Sequence, residues 1–93
     1  MCLFRKSTGI NFSGKSDSQI LKIYRGLEEK QKRELLDFLL EEIVIIGEVA
    51  AIKGIPLDRY NLVKEIKDYS QSKYYGMKTY GELRRVYDVI IEN

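Results

Sequence analysis

Residues 35–52 of this chain, LLDFLLEEIVIIGEVAAI, constrain its fold more than any other stretch. Thirteen of the eighteen are Leu, Phe, Ile, Val or Ala, the exceptions being Asp37, Glu41, Glu42, Gly47 and Glu48. Wound at about 3.6 residues per turn, Asp37, Glu41 and Glu48 fall on one narrow line, extended backward by Glu34. The rest of such a helix is apolar and predicts cover over most of its circumference. At about 25 cal/mol per Å² of apolar surface removed from water, its burial would be the largest favourable contribution to folding. Four carboxylates interrupt the run, so it does not read as a membrane span.

Ninety-three residues suffice for one domain. The net charge of +2 is too small to imply nucleic acid by itself. Its distribution is uneven: residues 1–33 carry eight basic and three acidic side chains, and residues 34–52 carry five acidic and no basic ones. Mutual pairing of the basic arm with the acidic strip accounts for this most simply. Cys2 is the single cysteine, which excludes a disulfide within the chain and fits a reducing compartment. The first residues lack the apolar core of a signal peptide, so an intracellular, cytoplasmic protein is expected.

Local signals place the helices. Residues 1–15, rich in Ser, Gly, Asn, Lys and Arg, read as an irregular arm pinned by Phe4 and Phe12. Ser16 and Gln19 form a capping box, and Ile20, Ile23, Tyr24 and Leu27 follow on one face. Gly26 ends that helix, and Glu28 and Glu29 open the next. Residues 28–53 read as one long helix bent at Gly47, or as two broken near it. A strand over residues 43–46 ranks last, because it finds no partner strand. Lys53, Gly54 and Pro56 are a strong stop. Asp58 then caps a third helix with Leu62, Val63, Ile66 and either Tyr69 or Ser70 inward. A polar loop over residues 70–78 precedes Thr79 and Glu82, a second capping box, and Leu83, Val86, Tyr87 and Ile90 give the last helix its apolar face. The expectation is a mainly all-α fold: a single helical domain over residues 16–93, a small bundle of about four helices around the central apolar one. That helix, residues 35–52, also offers a homodimer interface.

Catalytic chemistry is sparsely represented. There is no histidine, which removes the usual general base and the commonest zinc ligand. Glu41, Glu42 and Glu48 lack metal-ligand spacing and read as a solvated strip. No cofactor, no metal and no enzymatic activity are expected. Gly9-Ile10-Asn11-Phe12-Ser13-Gly14-Lys15-Ser16 satisfies G-x-x-x-x-G-K-[ST] and resembles the phosphate-binding loop of nucleotide hydrolases, with Gly14, Lys15 and Ser16 against phosphate. Residues 43–46 resemble the apolar strand before that family's magnesium-binding acid. A parallel sheet of several βαβ units, each about 30 residues or more, does not fit this length.

Residues 49–63, VAAIKGIPLDRYNLV, resemble a bacterial helix-turn-helix: Ala50 four before the turn glycine Gly54, Ile55 after it, and Val63 packing from the second helix. That resemblance implies DNA binding through Arg59, Asn61 and Lys64 in the major groove. Asp58, Glu65 and Asp68 on the same segment would repel phosphate and rank this second.

The leading reading is a small protein-binding module, an inhibitor or adaptor of the kind encoded by phages and mobile elements, acting on a host protein. Five of the seven tyrosines lie in the last 25 residues. Tyr74 and Tyr75, adjacent in a polar loop and flanked by Lys73 and Lys78, are the expected partner-binding residues, because tyrosine gives wide contact area with few torsions to freeze.

Overall fold

A computed structural model describes residues 10–93, and expectations resting on Cys2 and Phe4 lie outside them. The chain forms α1 (Asp17–Arg25), α2 (Glu29–Lys53), a 3₁₀ turn (Leu57–Arg59), α3 (Leu62–Glu65) and α4 (Tyr80–Ile91). It is a small, mostly helical bundle with no strand among the described residues. At about 1.5 Å per residue, the 25 residues of α2 extend roughly 37 Å. The longest dimension of the molecule is 38 Å, so α2 is its full-length frame. The last helix, α4, packs on both α1 and α2 and on the 3₁₀ turn. Among the described residues no helix is long and apolar enough to cross a membrane.

The caps form from local chemistry. The Ser16 hydroxyl accepts from the Gln19 amide at 3.3 Å, and the Ser16 amide donates to Gln19 Oε1 at 2.8 Å. Gly26 closes α1, and its amide reaches back to the Lys22 and Ile23 carbonyls. At the end of α2, Gly54 takes φ +72°, its amide donates to Ala51 O, and the Ile55 amide donates to Ala50 O at 2.9 Å. This paired arrangement satisfies carbonyls the helix end would leave bare. Thr79 caps α4 by accepting from the Glu82 amide at 3.2 Å. Only half of the expected box forms there, because the Glu82 carboxylate takes the Lys78 amide at 3.4 Å.

The core runs along one side of α2. Leu35, Leu39, Glu42, Ile46 and Ala50 are its buried positions. They meet Ile20 of α1, Leu62 of α3, and Leu83, Val86 and Ile90 of α4. Phe12, Tyr60, Tyr74 and Met77 complete the cluster from the connecting segments.

Three expectations change. First, α2 passes through Gly47 as one uninterrupted helix, since packing along its inner side continues from Leu35 to Ala50. Second, α2 is covered on one side only: Leu40 is 50% exposed, Val44 54% and Ile52 85%. Third, the helix expected from Asp58 shrinks to the 3₁₀ turn and a single turn of α3, and Val63 faces solvent. Long-range pairing explains the shortening. Leu62 N donates to Lys78 O at 2.8 Å and Tyr80 N to Tyr60 O at 3.1 Å, an antiparallel bridge that holds the chain extended around Asn61. At its other end Ile66 is extended, and Tyr69 turns away to stack on Tyr74.

A Cβ at Gly47 would meet nothing within 4 Å. No contact among the described residues therefore calls for glycine in this helix interior. Gly47→Ala is expected to stabilise the fold by roughly 0.5–1 kcal/mol, raising the melting temperature by a few degrees in circular dichroism.

Candidate functional site

The uncovered side of α2 is the most distinctive surface among the described residues. Leu40, Val44, Gly47 and Ala51 succeed one another at steps of four, three and four residues, the spacing of a seam that faces a second helix. Leu40, Val44 and Ala51 are exposed, and Gly47 leaves open space above its Cα. Asp37, Glu41 and Glu48 border the seam and are exposed, as their position on one line of the helix predicted. Among the described residues none of the three forms an ion pair with a basic side chain. A shallow hollow of about 470 Å³ lies here, lined by Asp37, Leu40, Glu41, Val44 and Ile45.

Ile45 joins this face to a narrower cleft of about 330 Å³ between α2 and the segment after it. Ile46, Val49 and Ile66 form apolar walls, with Tyr60 and Tyr74 beside them. Glu42 lines the cleft although only 7% of it is exposed. Glu42 is not part of the solvated strip expected from the sequence: it occupies an inner position in step with Leu35, Leu39 and Ile46. That offset was legible on the helical projection. What the projection could not supply was Tyr74, which lines the same cleft as Glu42. Burial above all, then the Glu42 carboxylate beside its hydroxyl, holds the Tyr74 phenol far above its ordinary range.

Tyr74 is only 2% exposed and belongs to the core, so it is not the surface anchor expected. Its ring stacks on Tyr69 at 5.3 Å with planes 7° apart, and meets the edge of Phe38 at 5.6 Å. Tyr75 is half-buried, with Phe38 at 5.2 Å and Phe12 at 6.3 Å. Two adjacent residues both turn inward because Tyr75 takes φ +54°, a left-handed conformation that reverses the usual alternation. Its carbonyl accepts from the Phe12 amide at 2.8 Å, which ties the arm to the loop. Tyr69 seals the loop by donating to Met77 O at 3.1 Å. Lys73 and Lys78 remain exposed, and Lys73 Nζ lies 5.1 Å from the Tyr74 ring centroid. The aromatic pair thus holds the loop down instead of projecting from it.

The helix-turn-helix does not form. A recognition helix needs length enough to present side chains along the groove, and α3 has four residues. Arg59 ends the 3₁₀ turn, and Asn61 spends its side-chain oxygen capping α3 through the Lys64 amide at 3.2 Å. The phosphate-loop reading also fails. Ser16 is occupied as the α1 cap, and Lys15 O accepts from Arg85 Nη1 at 3.0 Å. Gly14 has φ +70° in a tight turn, but residues 43–46 are helical and no strand occurs among the described residues. Nor do these residues contain a group of three or more side chains placed to hold a metal ion.

A wider groove of about 660 Å³ beside α4 carries Arg84 and Arg85. Both are already matched, Arg84 with Asp88 at 3.0 Å and Arg85 with Asp17 at 2.6 Å. Both pairs lie at the surface, where ion pairs add little to stability, and neither guanidinium is left without a carboxylate.

Comparison of the chain with known protein families, characterised proteins and solved structures finds no match.

Proposed function

We propose that this protein is a protein-binding module and that its partner docks along the outer side of α2. The observation that carries this is the exposed seam of Leu40, Val44, Gly47 and Ala51 on the longest helix, bordered by Asp37, Glu41 and Glu48. Exposed apolar side chains standing singly need no explanation, but a contiguous row with helix–helix spacing does. The bordering charge selects the occupant: a helix with an apolar stripe flanked by lysine and arginine. A second copy of the chain suits the seam less well. Two antiparallel copies centred between Val44 and Gly47 would bring Glu41 of one beside Glu48 of the other, and like charges across an interface oppose association. Gly47 and Ala51 admit close approach, which accounts for a glycine that no contact among the described residues requires. Occupying a partner's helix in this way is how an inhibitor or an adaptor acts without catalytic groups.

Val44→Asp is the discriminating variant. Its site is exposed, so stability should change by no more than about 0.5 kcal/mol. Affinity for the partner, isolated with the wild-type chain and then measured as a purified pair by calorimetry, should fall by about 2 kcal/mol or more. Raising the salt concentration should slow association, as expected for acidic residues steering a basic partner. A partner that binds Val44→Asp as tightly as wild type would exclude this face. Dimerisation of the chain alone, lost in Val44→Asp, would assign the face to self-association.

A further inference from the structure

We propose that the cleft between α2 and the segment spanning Tyr60 to Tyr74 binds an aliphatic cation, an amine or guanidinium on a short hydrocarbon chain, with Glu42 as its counter-ion. The inference stands on the cleft itself and does not depend on docking along the outer side of α2.

The chemistry follows from three features of the cleft. Its volume, about 330 Å³, falls at the lower end of small-ligand sites and suits a ligand the size of a basic side chain. Its walls, Ile45, Val49 and Ile66, suit a hydrocarbon stem. Glu42, 7% exposed as a residue, sits among them, with the Tyr74 hydroxyl beside its carboxylate. A carboxylate can accept several hydrogen bonds, and one neutral donor does not replace the water it loses on burial. Among the described residues no basic group lies within ion-pairing distance of Glu42. Lys73, which also lines the cleft, rests over the Tyr74 ring and forms no ion pair with Glu42. Charged groups buried at this depth are ordinarily paired, so the cleft beside Glu42 is shaped for a positive charge that the described residues do not supply. That charge has two sources of the same chemistry: a free small amine, or a basic side chain of the partner reaching past Ile45 from the outer face of α2.

Methyl-labelled protein titrated with n-butylguanidinium chloride tests the proposal by nuclear magnetic resonance. Saturable shifts are expected at the Ile45, Val49 and Ile66 methyls. The neutral isostere n-butylurea should bind at least about tenfold more weakly to the wild-type protein, a difference of one logarithmic step in affinity. Glu42→Gln keeps an oxygen for the Tyr74 hydroxyl and should weaken n-butylguanidinium by a similar factor. Equal responses to the two compounds, no saturable shift, or undiminished binding to Glu42→Gln would each overturn it. The comparison of compounds uses wild-type protein, so it decides the matter even if Glu42→Gln does not fold. N-acetyl-arginine methylamide separates the sources: binding like n-butylguanidinium assigns a partner's side chain, and exclusion while n-butylguanidinium saturates assigns a free amine.

Discussion

Tyr74→Ala should destabilise the fold by about 3–5 kcal/mol, the cost of truncating a large buried aromatic. Tyr74 is 2% exposed and connects three parts of the molecule. Its ring stacks on Tyr69 and meets Phe38 of α2, and its hydroxyl lies beside the Glu42 carboxylate. Alanine would leave a void between α2 and the loop. A small domain has only about 5–15 kcal/mol of net stability, so much of it would vanish. At about 4–8 °C per kcal/mol for a chain of this size, the melting temperature should fall by more than ten degrees. Circular dichroism at 222 nm during heating measures this. Tyr74→Phe keeps the ring and should lose only the hydroxyl's share, about 1–3 kcal/mol. Melting of Tyr74→Ala within a few degrees of wild type would return Tyr74 to the surface, where its sequence neighbours had placed it.

Gly76→Ala should cost about 2–4 kcal/mol, although it adds a single methyl group. Gly76 has φ +82°, where an L-residue loses roughly 1–2 kcal/mol from contact between its own side chain and backbone. The added Cβ would also run into the Asn11 carboxamide, standing 2.8 Å from its Cγ. Asn11 cannot swing aside freely, because its Oδ1 accepts from the Ser13 amide at 2.8 Å and shapes the turn there. The double variant Gly76→Ala with Asn11→Ala should recover the steric part and keep the backbone part. Chemical denaturation of the two variants beside wild type separates these contributions. A cost below about 0.5 kcal/mol for Gly76→Ala would mean that the 75–76 turn does not pack against Asn11.

These two positions mark where reading along the chain stops being sufficient. The helix starts at Ser16 and Thr79 and the stop at Gly54 were legible because each is decided within about four residues: a hydroxyl or a left-handed glycine satisfies backbone groups in its own turn. The inner faces of α1 and α4 were legible for a related reason. Ile20, Leu83, Val86 and Ile90 repeat at helical spacing, and burial follows the repeat.

The candidate site was legible only in part. Its acidic border of Asp37, Glu41 and Glu48 could be drawn on a helical wheel, but the bare seam beside it could not. An apolar row looks the same in sequence whether a neighbour covers it or not. The bundle has too few elements to surround α2, and that decides which row faces solvent.

The tertiary structure alone determined the rest. The Asn61–Thr79 bridge halts a helix that periodicity would have continued, because two amide–carbonyl pairs across eighteen residues replace those the helix would have made. Tyr74 and Tyr75 both turn inward because Phe12, from the far end of the chain, meets Tyr75 with its ring and its backbone amide and stabilises a left-handed residue there. Glu42 becomes the floor of a cleft because Tyr74 arrives above it. Each of these outcomes depends on contacts between distant segments, whose favourable energy appears only once the chain has closed on itself.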